Sequence, residues 1–391
     1  MPSSYNRRMK VFVGLSGGVD SAVSAALLQE QGYDVTGVFI RIVVPGYPCT
    51  AGEDKIDAQR VAAHLRIPFI EIDLSKEYER EVFRASLNDF SRGRTPNPDT
   101  LCNQKIKFGH FREFVQSRGA DFIATGHYAR VAPRDDLLQV RDFSAEKSLK
   151  SSAGRLRSPS EGHPVSLFGG IDAEKDQSYF LWMVPETVLR HTLFPVGSLQ
   201  KSEVRDRARQ FGLPNAARKD SQGLCFLGDI SITDMLEREL APQPGDVRDE
   251  HGEVVGRHRG AVAYTLGQRH GFELRVQSGA PHYVVAKNIK LNTITVSTSP
   301  VPRGASGTRV TLADTNWIGA VLDGEYRARF RYRQKLIPAR LQRVGKAVTV
   351  ILAEPQYAPP GQSLVLYDLP RGKAGEERCI GGGIITDVEL T

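Results

Sequence analysis

The chain has 391 residues, 40% apolar and 25% charged, the ordinary mixture of a globular protein. At about 150 residues per domain it forms two or three domains, with core enough to stand without disulfides or structural metals. Fifty-two Lys and Arg against 45 Asp and Glu leave a charge of +7, which admits an anionic partner, while four scattered cysteines with no C-x-x-C pair exclude a secreted disulfide scaffold and a zinc knuckle.

The N-terminal MPSSYNRRMK runs into an apolar strand, Val11 to Leu15, too short for a signal-peptide core. A Gly-rich turn follows, then a helix over Ala22–Gln31 that stops at Gly32. Asp34 to Val44 reads as a second strand; Arg41 interrupts it, and no apolar run reaches the length of a membrane span. Ile56–Leu65 is an amphipathic helix and Pro68–Leu74 a third strand. Helices at Glu77–Phe90 and Ile106–Arg118 precede a fourth strand, Asp121–Thr125. This alternation predicts an α/β domain with a doubly wound parallel sheet, which binds ligands at the carboxyl ends of its strands. From Ala132 to about Gly170 the pattern gives way to Ser-, Gly- and charge-rich sequence, read as a long exposed insertion. Order resumes at Lys175–Val184 and in a helix over Lys201–Phe211. Val247–Val255 and Ala261–Leu266 are short β-type segments, and from Asn292 onward short strands predominate, as in a small β-barrel. Three domains are expected: 1–228 catalytic, 229–295 a small central α+β unit, and 296–391 the barrel. A reduced, cytoplasmic compartment with no membrane contact fits this composition.

By count, the three spans carry +4, −1 and +4. In the last, Arg327, Arg329, Arg331, Arg333 and Lys335 alternate, so on one strand all five share a face. That face suits a phosphate backbone; the other reading is a solvated edge strand protected by charge.

The hexapeptide Ser16-Gly17-Gly18-Val19-Asp20-Ser21 lies between a buried strand and a helix start. Two glycines let the backbone curl around a ligand, and the helix N-terminus offers N–H groups and positive dipole. With no lysine in the loop it is not the Walker type. It resembles the pyrophosphate loop of the ATP-pyrophosphatase superfamily, which cleaves ATP to AMP and pyrophosphate to activate an oxygen as an adenylate. That resemblance implies ATP and Mg²⁺ as cofactors, with Asp20 holding the metal against the leaving pyrophosphate.

Cys102 ends the run GRTPNPDTLC and begins a helix-forming one, where a thiol is partly ionised. Asp99, three residues earlier, is a candidate acid or base. Cys225 lies in KDSQGLCF, a short polar segment, whereas nothing around Cys49 or Cys379 argues for more than a small buried side chain.

Taken in order, SGGVDS (16–21), GRTPNPDTLCNQKIKFG (93–109), ATGHYAR (124–130), KDQSYFL (175–181), KDSQGLCF (219–226), YTLGQR (264–269), FRYRQ (330–334) and APPGQ (358–362) resemble the tRNA-specific 2-thiouridylases over nearly the whole chain. The resemblance implies ATP-dependent replacement of O2 by sulfur on the wobble uridine of tRNA, chiefly the glutamate, glutamine and lysine acceptors. It implies that the oxygen is adenylated and that a relay protein delivers sulfur as a persulfide on Cys225. Cys102 then attacks the outer sulfur or helps release it, and a Cys102–Cys225 disulfide results, which a reductant must open. Asp99 is the implied acid/base, with Asn97 and Pro98 lining the target-base pocket. Gly14, Leu15, Ser16, Gly17, Gly18, Val19, Asp20 and Ser21 map to the ATP loop, with Ile40 against adenine and Gly126 a second nucleotide contact. His127, Lys175, Asp176, Gln177, Arg331, Tyr332 and Gln362 match tRNA-contact positions. The sequence departs from the family pattern after Ile40 (Arg-Ile-Val-Val-Pro), at His282, and in the length of the 132–170 insertion. Two other readings stay open on the residues alone: an adenylating synthetase or amidotransferase acting on a small substrate, and a tRNA-binding module with a vestigial nucleotide site.

Overall fold

Val11 and Val13 pack into one hydrophobic cluster and Phe12 into another, so the first strand is covered on both faces. The structure is a computed structural model that describes residues 7–47, 51–134, 164–220, 225–226, 230–275, 279–368 and 377–391. In chain order, the first half contains β1 (Lys10–Gly14), α1 (Val19–Glu30), β2 (Asp34–Arg41), α2 (Ala51–Leu65) and β3 (Phe69–Asp73). The helical stretches α3 (75–91) and α4 (98–116) follow, each with a π-helical segment, Glu79–Phe83 and Cys102–His110. Then come β4 (Phe122–Ala124), β5 (Ala129–Pro133), β6 (Val165–Gly169), β7 (Thr192–Leu193) and α5 (Lys201–Gln210).

Five of these strands form a parallel sheet in the order β3–β2–β1–β4–β7. The chain leaves β1 outward through β2 and β3, then returns to build β4 and β7 on the other side. The crevice at the carboxyl ends of β1 and β4 is therefore the switch point where such sheets bind ligands.

The ends of the expected insertion are ordered: β5 and β6 pair antiparallel, Ala129 to Gly169 through Pro133 to Val165. Val165 and Leu167 are buried, which a compositional reading of a Ser- and Gly-rich stretch passes over. The middle of that insertion, 135–163, lies outside the described residues, as does Cys49. Among the described residues, no helix is long and apolar enough to cross a membrane.

Next come α6 (Ile232–Leu240), whose buried Met235 and Leu236 join the first domain's core, and a five-stranded sheet in the order β10–β9–β8–β12–β11. Its strands are β8 (Gly245–Arg248), β9 (Val254–His258), β10 (Phe272–Leu274), β11 (Tyr283–Asn288) and β12 (Thr293–Ser297). Val247–Val255 is thus a hairpin rather than one segment. Ala261–Leu266 contains no strand: Gly260, at φ +135°, turns the chain into a short 3₁₀ turn that buries Ala261 and Tyr264.

The last third is a closed six-stranded barrel of β13 (Thr308–Trp317), β14 (Gly324–Arg329), β15 (Ile337–Val344), β16 (Ala347–Leu352), β17 (Ser363–Tyr367) and β18 (Arg378–Leu390). The strand order is β13–β16–β15–β14–β17–β18, and β13 pairs with β18 to close it. Through Cys379–Leu167 and Arg378–Phe168, β18 also takes on β6, so the first domain's hairpin extends the barrel sheet.

The expected basic stripe does not form. β14 stops at Arg329 and is an interior strand between β15 and β17, so it is neither a basic ribbon nor an edge. Arg329 turns inward to a buried ion pair with Asp176, and Arg331 and Arg333 lie in the turn beyond the strand, Arg333 at φ +60°.

Candidate active site

The carboxyl ends of the parallel sheet open into a cleft of about 520 Å³ that the barrel closes on one side with Tyr332 and Arg333. Gly14, Leu15, Ser16, Gly18, Val19, Asp20 and Ser21 line it, together with Ile40, Gly126, Asp99 and Cys225.

The loop is shaped by its glycines. Gly17 has φ +76°, and a Cβ there would sit 2.6 Å from the Asp54 carbonyl oxygen. Its own carbonyl accepts from Asn215 Nδ2 at 2.7 Å. Gly18 caps α1 without a side-chain acceptor, which leaves first-turn N–H groups directed at the cleft. Gly126 passes so close that a Cβ would meet Ser21 N at 2.7 Å. Such a cradle fits the phosphates of ATP, and Phe39, Ile40 and Ile42 offer an apolar wall for a base.

Asp20 is held by Lys201 Nζ at 2.7 and 2.9 Å, and its Oδ1 accepts from Tyr128 Oη at 2.8 Å. The same ammonium reaches Asp220 at 2.8 Å, where Lys175 (2.8 Å) and Arg205 (2.6 Å) also converge. Burial works against the Asp220 charge, but hydrogen bonds from Lys175 and Lys201 prevail and hold its carboxyl at about 2. Among the described residues no cluster of three His, Cys, Asp or Glu side chains is disposed around a metal. Asp20 lines the cleft within the loop, so its carboxylate is one that a magnesium ion there would take.

The thiol corner is built by α4. Asn97 caps it, accepting from Thr100 N at 3.2 Å, and Pro98 occupies the first turn, where a missing N–H costs nothing. Cys102, one turn on, is wholly buried, while Cys225 reaches it from a separate segment and faces the cleft. Their Sγ atoms are 3.5 Å apart, both as free thiols. Asp99 Oδ1 accepts from the Cys225 N–H at 3.2 Å, and Tyr78 Oη donates to the Cys225 carbonyl at 2.8 Å. The hydrogen bond from Cys102 pulls Cys225 down to about 7 against the effect of burial, and Lys107 adds to it. Burial, and then Cys225, push the Cys102 thiol well up. Burial also raises Asp99 toward its neutral form, opposed by Lys107 and the Cys225 N–H.

The remaining expected residues divide. Tyr332 lines the cleft with its ring 4.8 Å from that of Phe180, and Lys175 and Gln177 reach it too. Gln177 Oε1 accepts from Tyr128 N, and its own N–H donates to the Tyr128 carbonyl, both at 2.9 Å, which fixes the tyrosine that touches Asp20. His127 lines the cleft floor but is buried, bonded to Thr125 Oγ1 at 2.7 Å and kept neutral by burial. Asp176 faces inward, pairing with Arg329 and accepting from the N–H groups of Gly170 and Ser178. Arg331 donates to the Leu266 carbonyl at 2.6 Å, and Gln362 Oε1 lies 3.3 Å from Tyr179 Oη. Asn97 caps the helix that carries Asp99, with Pro98 in its first turn, and neither is among the residues lining this cleft.

Reading the sequence does not single out Lys107, Lys201, Tyr128 or Tyr78, and it puts Arg329 on a phosphate-facing stripe rather than in the buried pair with Asp176. Lys107 alone carries a signal, as a charge between Ile106 and Phe108, both buried. The others are joined to the site only by the fold.

Three family models match in sequence: a tRNA methyl transferase HUP domain over residues 9–229, a tRNA methyl transferase PRC-barrel domain over 233–298, and an aminomethyltransferase beta-barrel domain over 308–385. The tRNA-specific 2-thiouridylase MnmA of Bacillus subtilis is 39% identical over 389 residues, covering 97% of this chain and 95% of that one. Its namesake in Nitrosomonas europaea is 38% identical, covering 97% and 98%. A 4-thiouridine synthetase solved with RNA and ATP aligns with 60% of this chain and 50% of its own at 16% identity and a TM-score of 0.32, too slight a likeness to add to these.

Proposed function

Because the chain belongs to the tRNA-specific 2-thiouridylase family over almost its whole length, we propose that it replaces O2 of the tRNA wobble uridine with sulfur, converting ATP to AMP and pyrophosphate. The observation that carries this reading is the thiol pair at 3.5 Å, opening onto the same cleft as the phosphate loop. The matched model names speak of methyl transfer and the curated relatives of thiolation; two thiols beside a phosphate loop favour the second.

The loop 16–21 and the α1 N-terminus would hold the phosphates, and Ile40 the adenine. Magnesium at Asp20 would neutralise charge on the leaving pyrophosphate. Lys201 and Lys175 supply positive charge at the same end of the cleft. Asp99, raised toward neutrality, serves proton transfer at the uridine.

For the sulfur, the Cys225 thiolate attacks the outer sulfur of a persulfide on a relay protein, whose own thiolate leaves. Cys225 then carries the persulfide. Cys102 loses its proton and attacks Cys225 Sγ, the inner sulfur; that S–S bond breaks, and hydrosulfide departs to displace AMP from C2. Attack on the outer sulfur would only move the persulfide to Cys102, so a Cys102–Cys225 disulfide requires the inner one. A dithiol reductant supplies two electrons and restores both thiols.

The test combines purified protein, ATP, Mg²⁺, a persulfide donor, a reductant and unmodified glutamate, glutamine or lysine tRNA, with mass analysis of the nucleosides. 2-Thiouridine is expected from wild type and from neither Cys225→Ser nor Cys102→Ser. Full product from either variant refutes the mechanism.

A further inference from the structure

We propose that Lys107 is a positioning residue for the thiol pair: the π-helical register of α4 sets its ammonium beside Cys225, which it holds as the thiolate while Cys102 remains the thiol. The inference deepens the proposed function, resting on Cys225 as the sulfur-accepting nucleophile.

The geometry begins in the backbone. Five residues along an ordinary α-helix, a side chain points about 140° away from its starting point. Over Cys102–His110 the helix is wider, and Phe111 N donates to the carbonyl five residues back, on Ile106. About one such turn separates Cys102 from Lys107, so that Cys102 meets Cys225 from the buried side and Lys107 lines the cleft with it, while Ile106 and Phe108 enter the core. π-Helical turns of this kind recur at functional sites because they re-aim one side chain without breaking the helix.

The surroundings make that side chain matter. Facing Cys225 are the Cys102 thiol at 3.5 Å, the Asp99 carboxyl on its N–H, the Tyr78 hydroxyl on its carbonyl, and Lys107. Behind Lys107 stands His127, neutral by burial and by the lysine's own charge. Asp99 opposes a thiolate, and neither Tyr78 nor His127 supplies a positive charge. Among the described residues, Lys107 is thus the cation that faces the pair. It lines the same cleft as Cys225, and its Nζ lies 5.8 Å from the centroid of the Phe226 ring, at the next position in the chain. The shifts run in the same direction: the Cys225 thiol falls to about 7, first through the hydrogen bond from Cys102 and then through the Lys107 charge, and the ammonium rises because Cys225, Cys102 and Asp99 outweigh the cost of burial.

A consequence follows for the order of events. A thiolate at Cys225 and a thiol at Cys102 let the donor's sulfur reach only the exposed member of the pair. Once Cys225 is capped, its negative charge on the inner sulfur is gone and no longer opposes ionisation of Cys102.

The experiment is a pH profile of Cys225 alkylation by iodoacetamide, followed by peptide mass mapping, on full-length protein without tRNA or ATP. Wild type should titrate with a midpoint near pH 7, the rate rising with pH. Lys107→Met should move the midpoint up by about one unit or more and slow alkylation at pH 7 about tenfold. Lys107→Arg should restore much of that loss by keeping the charge. An unshifted midpoint in folded Lys107→Met overturns the proposal. So does a wild-type midpoint in the ordinary thiol range, near about 8.5, whether or not the variants fold. The readout involves no thiolation, so loss of the functional reading through an active Cys225→Ser variant would be seen separately.

Discussion

Asp20 is the acidic side chain of the phosphate loop, and its neighbours show how the cleft manages charge at the level of single atoms. Lys201 bridges it to Asp220, at 2.7 and 2.8 Å, so two carboxylates share one ammonium. Asp220 has Lys175 and Arg205 in reserve, whereas Asp20 accepts besides from the neutral Tyr128 hydroxyl. Removing Lys201 therefore takes from Asp20 the ammonium that pairs with it and strips positive charge from the end of the cleft where pyrophosphate would leave. Lys201→Met is expected to slow tRNA-dependent pyrophosphate release about a hundredfold, while Cys225 alkylation keeps its wild-type pH profile. Equal losses in both assays would mean that Lys201 supports the whole cleft rather than its phosphate end.

At the level of elements, the unit β1–loop–α1 couples sequence to function most directly. Gly17 and Gly18 look interchangeable in the sequence, yet their backbones differ. Gly17 is left-handed, and a methyl group there would strike the Asp54 backbone at 2.6 Å; Gly18 is extended, with Ser16 Oγ at 3.3 Å from its virtual Cβ. Gly17→Ala should cost about 1–3 kcal/mol of stability, read as a lowered urea midpoint, and remove ATP turnover with it. Gly18→Ala should unfold close to wild type, its damage confined to nucleotide use; equal destabilisation by the two would refute the distinction. This unit was legible because local rules govern it: a buried strand, two glycines and a capped helix each leave a pattern within a few residues. The parallel sheet was legible for the same reason, through the alternation of strand and helix periods. Three things were not. The alternating arginines of 327–333 mimic one strand, but the position of the turn after Arg329 is set by pairing with the neighbouring β15 and with β17, the latter distant in sequence. The π register of α4 leaves no mark in hydrophobic period strong enough to place Lys107. And β5 and β6 flank a compositionally loose segment, their pairing fixed by contacts with β18 more than two hundred residues on. The two cysteines could be nominated from their motifs, whereas their 3.5 Å separation belongs to the fold.

Across the whole molecule, the barrel and the parallel-sheet domain are joined by a buried polar seam rather than by apolar packing alone. Arg329 of β14 pairs with Asp176 at 2.5 Å, their side chains 10% and 13% exposed. Tyr367 Oη and Ser178 Oγ complete its shell at 2.7 and 3.2 Å. Beside it, Tyr179 Oη donates among the Phe330, Gln362 and Ser363 acceptors, and Thr95 N of the loop leading to Asp99 donates to the Pro360 carbonyl at 2.8 Å. Asp176 is followed by Gln177, which grips Tyr128 and through it Asp20. A displacement of the barrel is thus felt at both the base-side loop and the phosphate end. Burying an ion pair is costly, and its removal as a unit can be nearly neutral, but removing one partner strands the other charge. Arg329→Met should therefore destabilise the protein by about 3–5 kcal/mol, and Arg329→Met combined with Asp176→Leu by less than the sum of the single losses. Chemical denaturation of the four species measures the coupling. If the seam only holds the domains, the double variant should regain pyrophosphate release along with its stability. If it also aligns them, the double variant should be stable but slow, because Gly170 and Ser178 have lost the carboxylate that orders the turn into Gln177. The geometry favours the second outcome, since Asp176 accepts from two backbone N–H groups of the segment that grips Tyr128; a double variant both stable and fully active would rule it out.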